Sequence, residues 1–154
     1  MDYAVAGKYF DDFKVGDEFV TPARTMTEAD IVNFAGLSGD YNPVHTDEEY
    51  ARNTPFKGRI AHGMLVLVIG TGLLARLGIL DGTAVAFLGL TWRFIGPVKI
   101  GDTIKCKATV YEKKETKDSG RGVVSFGMAI VNQRDEVIEE GQVTMMLLRR
   151  SAMT

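Results

Sequence analysis

Residues 63–75 read GMLVLVIGTGLLA, an unbroken uncharged run that stops at Arg76. The run is shorter than the ~20 residues that cross a bilayer, and it contains Gly63, Gly70, Thr71 and Gly72. It therefore reads as a helix buried on nearly all sides, which a globular domain allows only when other elements wrap around it. Gly78 is placed to cap its C-terminal end.

The wrapping elements follow in the chain. Residues 84–94, AVAFLGLTWRF, are rich in β-branched and aromatic side chains and end at Gly96-Pro97, so they read as a strand. Ile104, Cys106, Ala108 and Val110 alternate with Lys105, Lys107, Thr109 and Tyr111, the period of a strand with one wet face. A polar connection over 113–122 leads to strands at 123–132 and 137–148, joined by the turn Gln133-Arg134-Asp135-Glu136. Upstream, residues 19–24 form a short strand, and Thr27-Glu28-Ala29-Asp30 opens a helix with a capping hydroxyl. The order is strand, helices, then about four antiparallel strands. This predicts an α+β domain in which the sheet curls around the apolar helix, with all helices on one side of it. Such a sheet keeps an open edge and a half-covered face, which pairing with a second copy would cover.

The bounds agree. A chain of 154 residues with 45% hydrophobic and 25% charged residues fits one ordinary globular domain, expected over 1–154, that needs no staples. A single cysteine excludes an internal disulfide, and MDYAVAGKYFDD lacks the basic and apolar regions of a leader, so a cytoplasmic location is expected. A net charge of −2 with interspersed signs gives neither a basic stripe for nucleic acid nor a polybasic segment for a membrane. Cys106 falls on the apolar phase of its strand and reads as core.

The chemistry-bearing stretch is GLSGDYNPVH, residues 36–45, which holds one of the chain's two histidines. Ile31, Phe34, Ala35 and Leu37 supply the apolar face of the helix that starts near Thr27, and Gly39 stands where it ends in a left-handed turn. Asp40 is then the first residue beyond that helix. Asn42-Pro43 blocks helix continuation, and Asp47-Glu48-Glu49 after Thr46 starts another short helix. Asp40 and His45 are therefore expected to flank a rigid, irregular loop that turns both side chains to one point. Singly, each is read as readily as a turn residue or a structural histidine. The other histidine, His62, immediately precedes Gly63, where an apolar helix begins with free backbone N–H groups that favour developing negative charge. An Asp/His pair beside such a helix end supplies a base and an oxyanion site.

GLSGDYNPVHTDEEYA, GRIAHGML and FIGPVKIGDTI together resemble the MaoC-like (R)-specific enoyl-CoA hydratases of the hotdog-fold superfamily, over roughly residues 10–148. The resemblance implies a hydro-lyase that hydrates trans-2-enoyl thioesters of coenzyme A or acyl carrier protein to the (R)-3-hydroxyacyl product, or runs the reverse, without cofactor or metal. Asp40 and His45 would hold and activate water, and the Gly63 N–H would bind the thioester oxygen. Asn42, His62, Met64 and Thr71 would line the substrate site, His62 as a positioning residue and Thr71 where the family often has Ser. Arg93 is read either as a contact at the substrate tunnel or a CoA phosphate, or as a solvated strand residue. The assembly implied is a homodimer or a larger even-numbered homo-oligomer.

The chemistry is consistent. Hydrating an enoyl thioester needs a base for water, a proton for the α-carbon and stabilisation of an enolate-like oxygen, and one Asp/His pair can do the first two in turn. Two other readings compete. His45, Asp47 and His62 have the residue types of a two-His-one-carboxylate iron site, but Asp47 is expected at a helix start. A hotdog thioesterase or an acyl-thioester-binding module is the other, and residues 63–75 hold no Asp or Glu to serve as a hydrolase carboxylate.

Overall fold

The computed structural model describes residues 6–150; the first five and last four residues of the expected 1–154 domain, and the start of the segment read as lacking a leader, lie outside them. In chain order the elements are a 3₁₀ turn at Phe10–Asp12, β1 (Glu18–Val20), β2 (Arg24–Thr25), α1 (Glu28–Ser38), α2 (Pro43–Thr46), α3 (Glu48–Arg52), α4 (Gly63–Ala75), β3 (Ala84–Phe94), β4 (Thr103–Glu115), β5 (Arg121–Val131) and β6 (Val137–Leu148). The antiparallel sheet runs β1-β4-β5-β6-β3, with β2 also paired to β4.

Local signals place α1. The Thr27 hydroxyl accepts from the Asp30 N–H while the Asp30 carboxylate accepts from the Thr27 N–H, a reciprocal cap that satisfies two free helix-end donors. Gly39, at φ 78°, ends the helix in the left-handed region. The apolar run forms α4 over its whole length, and α4 packs across β4, β5 and β6. Gly70 makes that approach possible, because a Cβ there would drive into the Ile130 side chain of β5. Around α4 lie two apolar clusters, one centred on Met26, Ile31, Val66, Ile104 and Ile130, the other on Phe13, Val110, Phe126 and Leu147. Cys106 is fully buried among them, and burial pushes its thiol up to about 12.

The region between α1 and α4 departs from the expected irregular loop. His45 stands on the one-turn helix α2. Pro43 ends one helix but occupies the first position of the next, where its missing N–H costs nothing, and the Asn42 side chain caps it by accepting from the Val44 N–H at 3.2 Å. The helix that follows is capped by Asp47, which accepts from the Tyr50 N–H at 3.0 Å, whereas the Thr46 hydroxyl turns back onto the Tyr41 and Asn42 carbonyls.

At the open side of the sheet, among the described residues, β3 hydrogen-bonds only to β6, and Val85, Phe87, Leu88, Leu90 and Phe94 are exposed along it. Among the described residues no helix is long and apolar enough to cross a membrane.

Candidate active site

Three short segments meet beside the start of α4. The His45 ring reaches the chain that enters α4, with Nδ1 2.8 Å from the Ile60 carbonyl. His62 caps α4 without a side-chain cap bond and is buried. Its Nε2 lies 2.9 Å from the Asp40 carbonyl, so the ring clamps the backbone of the Asp40 turn. The two imidazoles stack, ring centroids 3.8 Å apart at 28°, and Phe34 of α1 packs on His62 at 5.0 Å. One ligating atom from each of Asp40, His45 and His62 falls within 4.8 Å of the others. The Asp40 side chain is exposed, and Oδ1 accepts from the Asn42 N–H at 3.1 Å, the ordinary turn bond. That bond leaves further acceptor capacity on the carboxylate.

Carbonyl oxygens only accept, so the proton of His45 sits on Nδ1 and leaves a lone pair on Nε2. Burial is the largest influence on His45 and holds it below its ordinary 6.5; the Ile60 carbonyl and Asp40 pull it up, and His62 adds to the lowering. The ring is therefore a neutral base at pH 7, already oriented. By the same reasoning the proton of His62 sits on Nε2, and its Nδ1 is buried without a hydrogen-bond partner among the described residues.

The iron-site reading fits these residues poorly. Asp47, the carboxylate of the iron-site reading, is spent capping α3.

Next to the histidines, the α4 start forms one wall of a pocket of about 450 Å³, whose other walls are the end of β3, the segment after it, Phe56 and Ile60. The Ala61 N–H donates to the Val98 carbonyl at 2.8 Å and holds the two walls together. Gly63 and Met64 both line it. As the first helical residue, Gly63 has an N–H that no intrahelical carbonyl can take. A Cβ on Gly63 would lie 2.6 Å from Phe94 Cδ1 and 3.5 Å from Glu139 Oε1, so packing alone requires glycine here, before any substrate is considered.

The remaining expected site residues are dispersed. Thr71 lies about two turns further along α4, and its hydroxyl donates to the Val68 carbonyl at 2.8 Å. Asn42 works as the α2 cap. Arg93 alternates with the core-packed Trp92 and so points to the other face of the sheet, where it pairs with Glu140 at 3.6 Å and is 75% exposed.

Glu139 of β6 escapes sequence reasoning. It is 2% exposed, lines the pocket opposite Phe94 and accepts from the Trp92 indole N–H at 2.8 Å. Glu139-Glu140 in a strand reads as a wet stretch; the one hint is that a core tryptophan needs an acceptor for its N–H. The structure thus brings a carboxylate to the central helix from β6, although α4 has none. The lack of Asp and Glu within residues 63–75 therefore loses its force against thioester hydrolysis.

The family described as MaoC like domain matches residues 12–131. The chain belongs to this family. A MaoC-like relative, the (R)-specific enoyl-CoA hydratase of Rhodospirillum rubrum, is 43% identical over 107 residues, covering 66% of this chain and 69% of that protein. Protein MaoC of Klebsiella aerogenes is also 43% identical over 107 residues, but this chain spans only 31% of its length. Among solved structures, the R-hydratase PhaJ1 from Pseudomonas aeruginosa has a TM-score of 0.76 at 35% identity, covering 92% of this chain and 86% of that one. A Mycobacterium tuberculosis protein described as a double hotdog fold has a TM-score of 0.84 at 20% identity, over 99% of this chain and 47% of that one. This MaoC-like chain has the hotdog fold, an antiparallel sheet wrapped around a long apolar helix.

Proposed function

We propose that this chain is a hydro-lyase that adds water to trans-2-enoyl thioesters, giving the (R)-3-hydroxyacyl thioester, or removes it in the reverse direction. The observation that carries the reading is the pre-set base: the Ile60 carbonyl fixes the His45 proton on Nδ1 and leaves Nε2 unprotonated, in a ring grouped with the Asp40 carboxylate and with His62, which leads directly into Gly63 at the start of α4. The names of the Rhodospirillum rubrum and Pseudomonas aeruginosa relatives support it.

In this reading the acyl chain enters the pocket and the thioester oxygen accepts from the Gly63 N–H. Water lies between Asp40 and His45 Nε2. As its oxygen bonds to the β-carbon, His45 takes a proton, and electron density moves through the former double bond to the thioester oxygen, stabilised by the N–H and the helix end. The proton then passes to the α-carbon as the thioester carbonyl re-forms. A single acid/base centre delivers both new bonds to one face. None of these steps draws on a cofactor, and the carrier of the thioester is coenzyme A or acyl carrier protein.

The working unit is a homodimer, or a larger even-numbered assembly, joined along β3. The support is the row of exposed apolar side chains on that edge strand and the double hotdog fold described for one longer structural neighbour. The cell compartment proposed is the cytoplasm.

The test follows loss of the conjugated-thioester absorbance with a panel of enoyl-CoA substrates while a thiol reagent reports free CoA. Absorbance loss without thiol release, and a product that an (S)-specific 3-hydroxyacyl-CoA dehydrogenase does not oxidise, is the expected result. Thiol release at the rate of absorbance loss identifies a thioesterase, the reading that Glu139 keeps open. Chelators should leave the rate unchanged.

A further inference from the structure

We propose that Glu139 is a specificity-determining residue, and that the pocket it lines accepts acyl thioesters carrying a hydroxyl group on the acyl chain, additional to the one that hydration creates. The inference rests on the hydratase reading and names its substrate class.

The pocket is a mismatch for a plain hydrocarbon. Every other residue lining it is apolar or glycine, and Glu139 alone places an ionisable group in the wall. The two oxygens of Glu139 differ in their surroundings. Oε2 accepts from Trp92 at 2.8 Å, which fixes the carboxyl plane. Oε1 lies 3.5 Å from the Cβ position of Gly63, at the pocket wall, and no donor reaches it among the described residues. A hydrocarbon chain filling the pocket would displace water from Oε1 and leave a buried carboxyl oxygen unpaired, which is costly when the group is charged. Serving as the Trp92 acceptor occupies Oε2 alone and gives Oε1 no partner.

The chemistry of the partner follows from the state of Glu139. Burial pushes it from its ordinary 4.5 to about 7, against the Trp92 N–H, which lowers it. Near neutrality the pocket therefore shows either an O–H donor or an O⁻ acceptor. Oε2 is held as an acceptor by the indole, which leaves Oε1 as the oxygen to carry the proton. A ketone or ether oxygen satisfies only the donor form, and an ammonium only the acceptor form. A hydroxyl, both donor and acceptor, satisfies each. The group lies close to the Gly63 N–H that takes the thioester oxygen, on the acyl side of the site rather than at Asp40 and His45. The substrate hydroxyl is thus distinct from the water being added.

Binding of unreactive saturated acyl-CoA esters reads this contact without any chemistry. Hexanoyl-CoA would be compared with its 4-, 5- and 6-hydroxy derivatives by calorimetry, on the wild type, Glu139→Leu and Glu139→Gln. At least one hydroxy derivative should bind the wild type about tenfold more tightly than hexanoyl-CoA, the scale of one hydrogen bond to an ionisable group. Glu139→Leu should abolish or reverse that preference. Glu139→Gln, which can still accept from Trp92 and still bond a hydroxyl, should keep it and guards against a folding defect in the leucine variant. Hexanoyl-CoA binding the wild type as tightly as all three derivatives, or an unchanged preference in Glu139→Leu, would overturn the inference while leaving the hydratase reading intact. Failure of every acyl-CoA to bind would also overturn the inference as stated for coenzyme A esters, and the same acyl groups on acyl carrier protein would then test the acyl-thioester reading itself.

Discussion

The base role proposed for His45 rests on what surrounds it. The Ile60 carbonyl fixes its tautomer, and burial keeps it neutral where an exposed imidazole would begin to protonate. On the acid side, kcat/KM should therefore fall with an apparent pKa below the ordinary 6.5, measured as a pH–rate profile; an acid limb at or above that value would contradict the burial argument. Asp40→Asn and His45→Gln should each lower kcat by about 10²–10⁴-fold, and the double variant should be scarcely worse than either, as the proposed sharing of one water requires. Losses that multiply would mean that the two act separately. Glu139 predicts a stability effect of opposite sign. Its folded pKa is raised, so protonation favours the folded state: its contribution is fully present below 4.5 and is lost as pH rises through about 7. Neither the indole and ring of Trp92 and Phe94 nor Gly63 and the paired Ile130 brings a charge to it. Relative to Glu139→Gln, the wild type should lose about 3 kcal/mol across that interval in denaturant unfolding. Parallel curves for the two proteins would show that the carboxyl is not buried in solution.

At the scale of elements, α4 is the frame of the site, and its glycines are not equivalent. Gly63 lets the Phe94 ring and the Glu139 carboxyl close on the helix start, and Gly70 lets the helix lie against Ile130. Gly72 has nothing within 4 Å of its Cβ position. Gly70→Ala should thus destabilise by roughly 1–3 kcal/mol through overpacking, whereas Gly72→Ala should stabilise by up to about 1 kcal/mol through helix propensity. Thermal unfolding of the two single variants checks this, and a similar shift from both would remove the close-approach argument. The short α2 has a comparable framing role. Its Asn42 cap and Pro43 start set the direction of His45, and the bond from the Ile60 N–H to the Val44 carbonyl at 3.3 Å ties α2 to the entry of α4.

For the whole molecule, the exposed apolar strand β3 is the feature that a lone copy leaves unresolved. It ends at Phe94, in the pocket wall, so an interface along β3 and the acyl site share a boundary. Phe87→Lys, an exposed apolar position on β3, should shift sedimentation to a monomer and lower hydratase activity with it. A wild-type chain that sediments as a fully active monomer would sink the dimer proposal.

Much of this was legible in the residues. The run at 63–75, the Thr27 and Gly39 helix ends and the alternation through Cys106 match the structure because each signal is local: one turn of capping, one glycine, one period of two. Pro43 misled for the same reason, since a proline that stops one helix can equally start another. The motif Gly-Asp-Tyr-Asn-Pro-Val-His and its family resemblance located the histidine and the aspartate, but not their companions. That His62 stacks on His45, and that Glu139 and Trp92 meet at Gly63, depend on chain crossings and strand register. No local pattern encodes the pairing of β6 with β3 that sets Glu139 opposite Phe94, because register is settled by packing over the whole sheet. The sequence by itself determined the apolar helix, the four long strands and the stretch that carries Asp40 and His45; only the tertiary structure split the strand expected at 19–24 into β1 and β2 and decided which buried carboxyl shares the pocket with the helix start, because those contacts join residues far apart in the chain.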